Sequence, residues 1–121
     1  MIQKTKYLAD NPVVFISDIN GGQLPENITD EMVQYSATCI FVRCMGSVDG
    51  EVELTLGPAQ EVALREAPEF DGSIDTPSRR MMISGPDSEP IVQAETPDTR
   101  TRVRIWRNHP VWPDKVVVGW G

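Results

Sequence analysis

Turn-forming residues interrupt this chain roughly every 8–12 positions, a spacing that suits short strands and leaves little room for helices. The breaks are Asn20-Gly21-Gly22, Ser47-Val48-Asp49-Gly50, Gly57-Pro58, Gly85-Pro86-Asp87-Ser88 and Thr96-Pro97-Asp98. Ten prolines and nine glycines are scattered over the 121 residues rather than gathered into a linker.

The segments between the breaks read as strands. VVFISDI (13–19) is rich in β-branched and aromatic residues. The longest apolar stretch, 32–45, is apolar on both faces and reads as one central strand. In Glu51-Val52-Glu53-Leu54-Thr55-Leu56 the alternation has no error, so Val52, Leu54 and Leu56 point inward. The Asp49-Gly50 pair between these two strands predicts a hairpin. Residues 80–84 and 90–94 form a second predicted hairpin about the 85–88 turn. Arg100 to Trp106 and Lys115 to Trp120 are the last two strands, joined by a two-proline loop. Residues 24–31 are compatible with a helical turn or a loop, residues 60–66 with a short helix or an extended segment, and 68–79 read as loop.

That pattern predicts a single all-β domain over residues 1–121, an antiparallel β-sandwich of about seven short strands. No helical period persists and strands do not alternate with helices, which disfavours a parallel α/β sheet. A chain of this length buries roughly two-thirds of the surface exposed when unfolded, enough for one core.

Charge limits the partners. Net charge is −7, which disfavours nucleic acid and anionic membrane. Residues 1–99 hold 17 acids against 6 bases, whereas 100–121 hold 1 acid against 5 bases. No apolar run approaches the ~18 residues of a membrane helix, and the first residues lack the pattern of a signal peptide. Cys39 and Cys44 are five positions apart in a predicted strand, hence on opposite faces. That placement disfavours a disulfide between them. Free thiols imply a reducing compartment, and the expected location is cytoplasmic.

The candidate contact surface lies in the last two strands and their loop: Arg102, Arg104, Trp106, Arg107, His109 and Trp112. Arginine and tryptophan on one strand face stack by cation–π contact and make strong protein-binding surfaces. The structural reading of the same residues has Trp106 covering the core rim while the arginines pair with Glu51, Glu53 or another acidic strand. Likewise, Trp112 between two prolines either meets a partner or plugs the end of the sandwich.

Catalytic and metal signals are thin. His109 is the one ordinary base, no nucleophile motif accompanies it, and a hydrolase would need it beside a loop carboxylate. One histidine with two opposed cysteines excludes a conventional zinc site. Asp18-Ile19-Asn20-Gly21, Asp71 with Asp75, and Asp87 with Glu89 offer oxygen ligands for calcium, although turn chemistry also explains them.

The sequence therefore predicts a small acidic, non-catalytic binding or regulatory protein. It needs no cofactor or metal, and its partner is another protein or a second copy of itself. A sharper alternative is an acidic, immunity-type inhibitor of a basic nuclease or toxin, touching it through Glu51, Glu53, Glu69, Asp71 and Asp75. The rivals are a calcium-binding sandwich and a hydrolase built on His109.

Overall fold

The computed structural model describes residues 2–9, 11–44, 46, 50–87, 89–109 and 113–121. Among them are ten strands: β1 (Gln3–Tyr7), β2 (Val13–Asp18), β3 (Val33–Tyr35), β4 (Cys39–Arg43), β5 (Val52–Pro58), β6 (Phe70–Asp75), β7 (Arg80–Ser84), β8 (Pro90–Glu95), β9 (Arg100–Arg107) and β10 (Lys115–Trp120). A single helical turn, α1 (Ala59–Val62), follows β5. One sheet runs β1-β5-β10-β9-β6 and the other β3-β4-β2-β7-β8. Every adjacent pair is antiparallel except β5 and β10. The fold is the predicted all-β sandwich, with ten strands rather than about seven.

Period-two patterning builds the core. Val52, Leu54, Leu56, Val103, Ile105, Val116 and Val118 of the first sheet are fully buried. They belong to one cluster with Val14, Ile16, Ile40, Val42, Met81 and Ile83 of the second. Alternate residues of each strand face the same way, so these positions are the inner faces of two packed sheets.

The predicted β7–β8 hairpin is present, with Met81 opposite Ala94 and Ile83 opposite Val92. Three local readings change. The 32–45 stretch is two strands, because Ser36 makes a turn inside it: its Oγ accepts from the Thr38 and Cys39 amides at 3.2 and 3.1 Å. No glycine or proline marks that turn. The predicted hairpin between 32–45 and 51–56 does not form, since β4 and β5 lie in different sheets; residues 47–49 of its turn lie outside those described. β5 pairs instead with β1, which the sequence does not signal, and with β10.

The third change concerns 68–79, which contains β6. Phe70 and Ile74 are buried, while Asp71 and Ser73 take the outward positions between them. Gly72 holds the inward position between these two, and the Phe70 ring folds across it: a β-carbon there would sit 2.7 Å from Phe70 Cζ. A glycine at an inward position breaks the visible alternation without breaking the strand.

Part of the outer face of the first sheet is also covered. Gly57 of β5 lies opposite Gly119 of β10, and α1 rests on this pair. A β-carbon on Gly119 would lie 2.8 Å from Ala59 Cα, and one on Gly57 would lie 3.0 Å from Val62 Cγ1. Backbone cannot yield as a side-chain tip can. Gly119→Ala therefore lowers the unfolding free energy by about 1–3 kcal/mol, read from urea unfolding; an unshifted midpoint would mean that α1 does not rest on the glycine pair.

Candidate functional site

Strand β9 carries most of the predicted contact residues, and its neighbour decides what they do. It is paired along its length with β6, the strand that displays Asp71 and Asp75. Arg102 forms a two-pronged pair with Asp71, Nε to Oδ1 at 2.9 Å and Nη2 to Oδ2 at 2.7 Å. Those hydrogen bonds, aided by the Arg102 and Arg104 charges, hold the Asp71 carboxyl below its ordinary pKa. Arg100 pairs with Asp75 at 2.8 Å. Arg104 donates to the Gly121 carbonyl at 2.9 Å.

Arg107 lies on the other face of β9. Its Nε and Nη2 donate to Glu69 at 2.6–3.0 Å, and Nη1 reaches the Arg43 carbonyl of the opposite sheet at 3.4 Å. The Arg107 side chain is 3% exposed, against 35% for Glu69. This cation ties the two sheets together at one end of the sandwich.

Trp106 is 4% exposed. Its indole N–H donates to the Glu66 carbonyl at 2.9 Å, which fastens the chain after α1 across the outer face of the first sheet. Leu64 of that crossing segment shares a small groove with the ring. Trp106 therefore serves as a fastener under a covering segment and is not available as a hot spot. His109 is exposed beyond β9, and Trp112 lies outside the described residues. The four predicted contacts on β9 thus form no single surface: Arg102 and Arg104 are outward and bonded, Trp106 is covered, and Arg107 is buried between sheets.

The acidic alternative meets a similar limit. Of the five carboxylates predicted to touch a basic partner, Glu53 pairs with Lys4 at 3.1 Å, and Glu69, Asp71 and Asp75 pair with the arginines of β9. The bases of β9 and the acids of β6 neutralise each other by adjacency.

The loops proposed for calcium use their oxygens locally. Asp18 is buried, and accepts from the Ser78 amide at 2.8 Å and the Asn20 amide at 3.0 Å. Asp87 accepts from the Glu89 amide at 3.2 Å. Among the described residues no three metal-ligating side chains converge, and no helix is long and apolar enough to cross a membrane.

Both cysteines are free and buried. Burial pushes each thiol up to about 11, so each is protonated, and a poor nucleophile, at neutral pH.

The loop before β3 went unassigned in the sequence, and it is firmly placed. Gln34, itself buried, donates to the Asn27 carbonyl at 3.1 Å and the Thr29 hydroxyl at 3.0 Å, and accepts from the Thr29 amide. Arg43 donates to the Thr29 and Glu31 carbonyls at 2.9 and 3.3 Å. Ser36 and Thr38 hold Gln23. Leu24, Ile28 and the adjacent Tyr35 are nonetheless 46–63% exposed. The sequence signal for this loop is electrostatic: residues 7–42 contain five acids and no lysine or arginine.

No protein-family model matches the chain, and no curated protein matches it in sequence. The fold is similar to the crystal structure of ComJ from Bacillus subtilis, described as the inhibitor of the DNA degrading activity of NucA. The TM-score is 0.70 at 8% identity, over 99% of this chain and 97% of that one. At that identity the likeness speaks for the fold.

Two outcomes are expected. Glu69→Gln leaves the buried Arg107 charge without its carboxylate and costs about 1–3 kcal/mol in urea unfolding, whereas Asp71→Asn leaves the midpoint unchanged because both partners are in water. Equal effects would mean that Arg107 is not the tie between the sheets. A disulfide-exchange reagent at pH 8 labels Cys39 and Cys44 only once denaturant opens the fold; fast labelling of the native protein would contradict their burial.

Proposed function

We infer that this chain is a non-catalytic protein that binds a DNA-degrading nuclease and silences it. The observation that carries the reading is the fold likeness to ComJ across nearly the whole of both chains. The net charge of −7 supports it independently. An enzyme that binds DNA carries a basic surface to meet the phosphates, and an acidic protein is drawn to that surface by the same field. Stoichiometric occlusion requires no chemistry from the inhibitor, which agrees with two buried, protonated thiols. Two free cysteines also suit the reducing cytoplasm.

The test begins with capture from lysate of the chain's own source cells, at low salt. Retained protein is released at high salt and assayed for DNA hydrolysis, with and without one equivalent of the chain. The expected result is DNA-degrading activity in the released fraction that the chain abolishes near one-to-one. Association slows as salt rises, because screening removes electrostatic steering. A fraction without DNA-degrading activity, or activity that excess chain leaves untouched, would refute this function.

A further inference from the structure

We propose that the pinned 20–32 loop, with the shallow groove beneath it on the outer face of the second sheet, docks onto the basic DNA-binding surface of that nuclease. This inference rests on the nuclease-inhibitor reading and adds the surface to it.

Four observations converge on this face. First, it carries apolar groups among polar ones. The groove, of about 250 Å³, is lined by Phe15, Leu24, Cys39, Met82 and Pro86 together with Ser17 and Ser84, and Leu24 and Ile28 of the loop are themselves exposed. Exposed apolar side chains with a polar border are a feature of interaction sites.

Second, the loop is rigid for an exposed segment of 13 residues without strand or helix. The side chains of Gln34, Ser36, Thr38 and Arg43 hold its backbone. At Gly22 it runs so close to Thr38, the residue before β4, that a β-carbon would collide with the Thr38 carbonyl oxygen. A loop fixed in advance loses little entropy on binding.

Third, the sign of the charge selects the occupant. Glu26, Asp30 and Glu31 are exposed, and none forms an ion pair among the described residues. Arg43 donates to two loop carbonyls and lies 5.0 Å from the Phe41 ring, so its single charge offsets part of the loop's and leaves an excess of about two negative charges. Fourth, the other acidic surface is neutralised: the carboxylates of β6 already face the arginines of β9. Once the internal pairs are removed, this loop combines three exposed carboxylates against one cation with exposed Leu24 and Ile28; the segment that holds Leu64 between Glu61 and Glu66 has one such apolar residue and no groove of the second sheet beneath it. A basic, nucleic-acid-binding surface complements both features.

The experiment uses the full-length chain and the DNA-degrading protein recovered in the capture described above, with association and dissociation measured by surface plasmon resonance. Glu26→Gln/Asp30→Asn/Glu31→Gln removes three exposed charges whose side chains form no ion pair among the described residues. Glu51→Gln/Glu61→Gln/Glu89→Gln removes three exposed charges elsewhere and serves as the control of equal net charge. The loop triple slows association at low salt by roughly tenfold or more, and the control by no more than about threefold. Leu24→Ser/Ile28→Ser leaves association near wild type and raises dissociation about tenfold, where short-range contacts register. Circular dichroism and urea midpoints confirm that each variant folds.

Equal losses from the loop triple and the control would assign binding to the overall field and overturn this surface. So would wild-type inhibition by both loop variants, or self-association of the wild type that Leu24→Ser/Ile28→Ser abolishes while nuclease binding persists. In those cases the inhibitor function stands and only the surface falls. If the wild-type chain silences no captured nuclease, the function itself fails and the docking surface with it.

Discussion

Hydrogen bonding between β6 and β9 sets the electrostatic character of the whole molecule. It brings a strand with carboxylates at Asp71 and Asp75, on one face, against one with guanidinium groups at alternate positions. Five of the eleven cations lie in residues 100–121, and three of them are matched to acids at 2.6–2.8 Å. Had β9 lain beside an apolar strand, the same residues would have made an anion-binding stripe. Beside β6 they make a nearly neutral lattice, and the protein's negative excess appears on other surfaces. The individual exposed pairs add little stability; their consequence is where the remaining field points.

The buried member of the series behaves differently. Arg107 is enclosed between the sheets, so its charge must be met in place by Glu69 and the Arg43 carbonyl. Trp106, one residue earlier, faces the opposite way and secures the covering segment to the outside of the first sheet. Adjacent residues of one strand thus hold two separate layers onto the same sheet. A sequence reading that groups them as one patch joins side chains that the pleat drives apart.

What was legible followed from whether a signal was local. Alternation in β5 and β9 and the turn at 85–88 were readable because the deciding residues are neighbours in sequence. β6 was hidden by Gly72, whose missing side chain leaves room for a ring two residues away. The β3–β4 turn was hidden because Ser36, Ala37 and Thr38 interrupt the apolar run without glycine or proline. The partner of β5 was unreadable because a hairpin signal describes a turn, while the sheet that a strand joins depends on distant strands. At the candidate surface, residue types identified charge and aromatic content correctly, but their availability depended on β6, which the sequence concealed. The 20–32 loop has no motif; its order comes from Gln34, Ser36, Thr38 and Arg43, side chains contributed by the residues that follow it.

The parallel union of β5 with β10 bears on how the chain reaches this structure. Leu54 pairs with Val116, 62 positions later, and β10 is the middle strand of its sheet. Without β10, that sheet exists only as a β1–β5 ribbon and a β6–β9 ribbon, each with an unpaired edge. The second sheet contains nothing later than β8, so its strands can come together first. Closure of such a long loop costs entropy before any contact repays it, and folding dominated by distant pairings is slow. Any open β5 or β9 edge is a site for wrong pairing with other chains, and β10 covers both edges at once.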